Sequence, residues 1–91
     1  YTMGGLMIAV HPGEYLNHFY IEDSGYTQNK LAEKIGISAS TLSRILNCSI
    51  SVTPSMAIKL QEAFQFSAEA WLAMQNKYDL YRLRNAEKEN A

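Results

Sequence analysis

The sequence predicts an all-α chain of five helices, and three observations carry that expectation. No run alternates apolar and polar residues convincingly enough to be a strand. Four segments open alike, with an apolar residue followed by a hydroxyl: Tyr26-Thr27, Ile37-Ser38, Val52-Thr53 and Phe66-Ser67. Five residues after each apolar residue stands Leu31, Leu42, Ala57 or Trp71, the spacing of a hydrophobic staple across a capped helix start. Gly36 then separates two short amphipathic stretches, where a left-handed residue ends one helix and lets the next cross it.

With 91 residues, 47% of them apolar, the chain has material for one small domain with its own core. No apolar run approaches a membrane span, and the first ten residues hold no basic segment followed by a cleavage site. The chain starts on Tyr1, so residues 1–10 are not assumed to be a natural beginning. Cys48 is the single cysteine; it leaves no internal disulfide and fits a reducing cytoplasm.

Taken in order, residues 1–10 carry two adjacent glycines and no period, and are expected to form a flexible arm or short extended piece. The domain is expected over residues 11–84. His11-Pro12-Gly13 starts it: Pro12 is tolerated in a first helical turn and Glu14 favours a helix N-terminus. Leu16, Tyr20 and Ile21 give this first helix an inward stripe, and Gly25 closes it.

The stretch from Thr27 to Asn47 organises the rest. Gln28 begins the second helix, and Ala32, one turn on, is small enough for another helix to pack close. After Gly36, Ser38 caps the third helix, whose Leu42 and Ile45 return at helical spacing and point inward. Ala39, Ser40, Thr41, Ser43, Arg44 and Asn47 are left facing outward. Short polar side chains with one Arg suit base edges and phosphates, so the pair reads as a helix-turn-helix. On that reading Ser38, Ser40 and Thr41 lie near bases or phosphates and Arg44 forks onto a guanine or a phosphate. Gln28 binds a phosphate beside free backbone N–H groups, and Asn47 either contacts DNA or simply ends the helix.

Charge is compatible with this. The net charge is −1, but Thr27 to Leu60 holds Lys30, Lys34, Arg44 and Lys59 against Glu33 alone. The preceding segment holds Glu14, Glu22 and Asp23 without a Lys or Arg. A basic middle between acidic or neutral flanks offers a local phosphate-binding face with modest non-specific affinity per monomer.

The fourth helix, about Pro54 to Phe64, has Pro54 at its first position and Met56, Leu60 and Phe64 on one stripe. The fifth begins after Ser67 and is apolar on two sides. One carries Trp71, Met74, Tyr78 and Tyr81, the other Leu72, Leu80 and Leu83. Two apolar sides need two partners, the domain's own core and a second copy of the chain. The seam is expected along Trp71, Met74, Tyr78 and Tyr81, with Trp71 also held in the core by Phe66. Such a homodimer sets two recognition helices about one turn of DNA apart, which predicts a two-fold-symmetric site. The polar tail, residues 85–91, is expected to fray.

Catalysis and metal binding are not supported. His11, His18 and Cys48 are the only residues suggestive of either, and no third ligand or activating partner follows at a recognisable spacing. His11 reads as a helix-start residue, and no cofactor is expected.

His11-Pro12-Gly13-Glu14, the Gln28/Ala32/Gly36 helix-turn-helix, Thr53-Pro54-Ser55-Met56-Ala57 and Trp71-Leu72-Ala73-Met74-Gln75 together resemble the HigA-family (VapI-like) antitoxins. These are five-helix Xre/Cro-type, lambda-repressor-like domains with an extended C-terminal helix. The resemblance covers roughly His11 to Arg84. It implies an antitoxin that neutralises a HigB-type toxin, a ribosome-associated messenger RNA endonuclease, and represses its own operon as a homodimer. Three places depart from the family pattern. Cys48-Ser49-Ile50-Ser51 replaces a loop that usually carries Gly and basic residues, Gln65 stands where a helix-ending Gly is common, and Phe19 occupies a position expected to be polar. A stand-alone transcriptional regulator without a toxin, and an interaction module that has lost DNA binding, remain alternatives.

Overall fold

The computed structural model describes residues 9–90, and no strand occurs among them. Helix α1 (Pro12–Leu16) continues into a π-helical segment (Asn17–Asp23); α2 (Gln28–Ile35), α3 (Ala39–Leu46), α4 (Pro54–Phe64) and α5 (Ala68–Asn90) follow. Most of the arm expected over residues 1–10 lies outside the described residues. Its last two, Ala9 and Val10, are non-helical, and Ala9 is buried.

The caps sit where the hydroxyls predict them. Thr27 Oγ1 accepts from the Lys30 N–H (3.2 Å), Ser38 Oγ from the Thr41 N–H (3.1 Å) and Ser67 Oγ from the Ala70 N–H (3.0 Å). Helix α1 is capped by His11 itself: the Gly13 N–H donates to its Nδ1 at 2.8 Å, and Glu14 Oε1 accepts from its backbone N–H at 3.1 Å. Gly36 ends α2 at φ +88°, where the Ala32 carbonyl accepts from both the Gly36 and Ile37 N–H groups.

The first helix differs from the expected α-helix in its second half. Leu16, Tyr20 and Ile21 are spaced by four and one, and a wider turn closed by i→i+5 bonds lets all three pack on the core. Gly25 (φ +76°) ends the segment, and the Tyr26 N–H donates back to the Tyr20 carbonyl at 2.9 Å.

The core comprises Leu16, Leu31, Ala32, Ile35, Leu42, Ile45, Val52, Ala57, Leu60 and Trp71. Each large member contributes roughly 1.5–3 kcal/mol by leaving water. Trp71 is fully buried, with the Phe66 ring edge-on at 5.0 Å, as the staple spacing predicts. Helix α3 packs mainly on α1 and α2, and α4 lies along α5. At the α1–α3 contact, a Cβ on Gly13 would stand 1.7 Å from the Ile45 carbonyl oxygen, so only Gly allows this approach. The tail expected to fray from Asn85 is helical as far as Asn90.

Candidate nucleic-acid interface

Helix α3 is a two-sided rod. Leu42 and Ile45 have no exposed surface, whereas Ser38, Ser40, Arg44 and Asn47 are exposed and Ala39, Thr41 and Ser43 half-buried. The eight residues from the helix-turn-helix reading, Gln28 included, therefore lie on one accessible region made by the N-terminus of α2 and the outer side of α3. Gln28 Nε2 donates to the Ala39 carbonyl at 3.4 Å and so links the starting turns of the two helices. Ser38 Oγ also donates to Thr41 Oγ1 at 2.8 Å and lies 3.3 Å from Ser40 Oγ, so three hydroxyls cluster at the mouth of α3. Among the described residues no ion pair engages Arg44. Its guanidinium is thus available to a ligand.

Asn47 is the C-cap of α3, which favours a helix-ending role for it. The next residue, Cys48, takes the left-handed conformation at φ +61°. The Ser49 N–H reaches the Arg44 carbonyl (2.8 Å) and the Cys48 N–H the Ile45 carbonyl (2.9 Å), the two bonds of a Schellman motif. A Gly would hold this position without strain. Likewise Gln65 ends α4 at φ +57°, with its N–H on the Gln61 carbonyl at 2.7 Å.

Two polar residues hold the loop behind α3, a role the sequence did not reveal: His11, expected only as a helix start, and Gln75. His11 is 1% exposed; with Nδ1 accepting from Gly13, its proton resides on Nε2, which donates to the Ile50 carbonyl at 3.1 Å. Burial holds its imidazole below the usual histidine range, against smaller opposing effects of the Ile50 carbonyl, Glu14 and Asp79. Gln75, 3% exposed, accepts from the Val52 N–H through Oε1 (2.9 Å) and donates to Asp79 through Nε2 (3.0 Å). The signal was present, since His11 and Gln75 are polar members of the HPGE and Trp-Leu-Ala-Met-Gln motifs. Lys59 Nζ reaches the Gly36 carbonyl at 3.4 Å and so also steadies the turn between α2 and α3.

His11 and His18 do not converge. His18 is exposed on the π segment, with Nδ1 3.5 Å from Glu22, and burial pushes the Cys48 thiol up, away from the reactive thiolate. No group of three metal-ligating side chains forms among the described residues.

The two sides of α5 are distributed differently from the expected seam. Trp71 is fully buried and leaves no surface for a second copy, a correction that follows from its staple with Phe66. Met74 packs against the core, and the half-buried Tyr78 meets His11 edge-on at 4.9 Å, with the Arg82 guanidinium over its ring. Of the expected seam, Tyr81 (37%) is accessible, and it is joined by Leu80 (47%) and Leu83 (62%) from the other stripe. An open groove lined by Ser51, Asp79, Arg82, Leu83 and Ala86 runs beside them. No described helix is long and apolar enough to cross a membrane.

The helix-turn-helix family model matches residues 20–71, from the π segment to the start of α5. Virulence-associated protein A of Dichelobacter nodosus is 39% identical over 74 residues, 80% of this chain and 72% of that protein. Antitoxin HigA-1 of Vibrio cholerae is 37% identical over 82 residues, 90% of this chain and 77% of the antitoxin. The structure of Pseudomonas aeruginosa antitoxin HigA with the higBA promoter superposes with a TM-score of 0.79 at 28% identity, covering 89% of this chain and 88% of that one. None of these families is an enzyme family. With the family model matched over residues 20–71 and 37% identity to a HigA antitoxin over 82 residues, the chain belongs to the helix-turn-helix proteins and, among them, to the HigA-type antitoxins.

Proposed function

We propose that this protein is the antitoxin of a HigBA-type toxin–antitoxin pair, binding a messenger RNA endonuclease toxin and repressing its own operon as a homodimer. The observation that carries the reading is the outer side of α3: exposed hydroxyls and an exposed guanidinium that no ion pair engages among the described residues, on a domain whose solved relative HigA is held with its promoter. Helix α3 enters the major groove with Ser38, Ala39, Ser40, Thr41 and Ser43 near bases or phosphates, and Arg44 reads a guanine. Gln28 binds a phosphate at the start of α2, and Asn47 lies at the rim of the contact.

Two copies join along α5 through Leu80, Tyr81 and Leu83, with Tyr78 at the edge. This doubles the basic patch and sets two α3 helices on a two-fold-symmetric operator. The protein works on DNA in the cytoplasm, without a cofactor, and carries out no catalysis of its own.

A gel-shift assay with its own promoter, together with copurification of the product of the adjacent reading frame, tests the proposal. Promoter binding with a copurified partner is expected. Promoter binding without one leaves a stand-alone regulator, and no binding at all removes the repressor reading. Tyr81→Ser with Leu83→Ser should yield monomers in sedimentation; a dimer that persists places the seam elsewhere.

A further inference from the structure

The exposed aromatic on the π segment is not used by the DNA-facing side or by the α5 surface. Phe19 is 43% exposed, an unusual place for a Phe that the core does not require. Tyr15, one turn earlier, already covers the junction of α1 with the α4–α5 turn. Its ring is stacked on Phe66 at 6.0 Å and edge-on to Trp71 at 5.6 Å. Phe19 stands on the outside of this ladder, 4.6 Å from Tyr15 and 4.7 Å from the His18 ring. The result is a firmly backed aromatic step that faces water.

Its charge is one-sided. Glu22 and Asp23 are exposed on the same segment, and no Lys or Arg occurs between Ala9 and Asn29. Glu22 is oriented by the Asn17 side-chain amide at 3.1 Å and by His18 at 3.5 Å. Nucleic acid is repelled by such a surface. So is a second copy, because a two-fold contact would lay the carboxylates of one chain on those of the other. A cationic protein is attracted, with Arg or Lys reaching the carboxylates while an apolar side chain covers Phe19.

We propose that the Phe19 step with Glu22 and Asp23 is the docking surface for a cationic protein partner, namely the toxin. This rests on the toxin partnership proposed above; a protein that acts on RNA needs a positive surface of the kind that this face complements. The surface lies on the π segment beside the α4–α5 turn, and that segment packs chiefly on α1 and α2 rather than on α3. Toxin and operator therefore use separate parts of the chain.

The test is co-expression of the full chain with the adjacent reading frame, comparing wild type, Phe19→Ser and the charge reversal Asp23→Lys. Both substitutions fall on exposed side chains, and thermal melting checks that each variant is folded. The expected result is at least a tenfold loss of copurified partner for each variant, with promoter gel shifts unchanged. Full retention by folded variants overturns the docking surface while leaving the toxin partnership intact. A wild-type chain that captures no partner overturns both. Parallel loss of promoter binding would show that the segment supports the fold as a whole and would also overturn the assignment.

Discussion

Replacing Gly13 by Ala places a methyl group inside the backbone of α3. The new Cβ would lie 1.7 Å from the Ile45 carbonyl oxygen and 2.7 Å from its carbonyl carbon, whereas real Cβ contacts essentially never fall below 3.0 Å. The two helices must therefore separate by more than an ångström. No side-chain rotation can relieve a clash with backbone, so α1 has to move. That movement disturbs the His11 cap and its hold on Ile50, both built on the same few residues. Overpacking of this kind costs roughly 1–3 kcal/mol, and the backbone partner argues for the upper half of that range. For a domain of this size, such a loss lowers Tm by about 10–20 °C. Thermal unfolding followed by circular dichroism at one fixed protein concentration measures it, since a dimer's Tm depends on concentration. Gly36→Ala is the informative contrast. Its Cβ meets nothing within 4 Å, and the strain comes only from φ +88°, so the cost should stay near 1–2 kcal/mol. A Gly13→Ala protein melting within about 2 °C of wild type would refute the close-approach argument.

Other expectations follow from single residues. Stability should be intact above pH 6.5, where unfolded His11 is neutral, and should fall as pH drops from there through the lower pKa of the folded state. Urea midpoints at pH 7.5 and 5.5 measure the effect. Much of this dependence should vanish in His11→Asn, and a dependence unchanged by that substitution would assign it to other groups. Gln75→Leu leaves the buried Val52 N–H without its acceptor and should cost roughly 1–3 kcal/mol in the same denaturation assay; a neutral result would mean that the loop re-pairs elsewhere. Gln65→Gly removes a left-handed non-glycine residue at an exposed position and should raise stability by up to about 1 kcal/mol. An unchanged or lower midpoint would mean that the Gln65 side chain contributes more than its backbone loses.

Much of this architecture is legible before any coordinates, because its signals are local. Thr27, Ser38, Thr53 and Ser67 announce helix starts through one hydroxyl and a staple, and Gly36 announces the turn through backbone freedom alone. The outward side of α3 follows from periodicity once Leu42 and Ile45 are assigned inward. What stayed hidden depends on contacts far apart in the chain. His11 reads as a helix start, yet its second nitrogen reaches Ile50, 39 residues away. Gln75 looks like an ordinary polar helix position until Val52 is brought to it. The winding of Asn17–Asp23 was hidden for another reason: spacings of four and five residues fit both an α-helix and a π-helix. The core role of Trp71 was legible from its staple with Phe66, but the division of α5 into two stripes was not: Leu72 packs on the core and Tyr81 is exposed beside Leu80 and Leu83, because periodicity does not say which stripe meets the core.

Repression requires the outer side of α3 to meet DNA, and Arg44 tests this most directly. Fluorescence anisotropy with a duplex of the chain's own promoter, and with single-base variants of it, should show Arg44→Ala weakening binding by roughly 1–3 kcal/mol and losing discrimination at one base position in each half-site. Equal weakening on every duplex would restrict Arg44 to phosphate contact. An affinity unchanged by Arg44→Ala would contradict the placement of α3 in the groove.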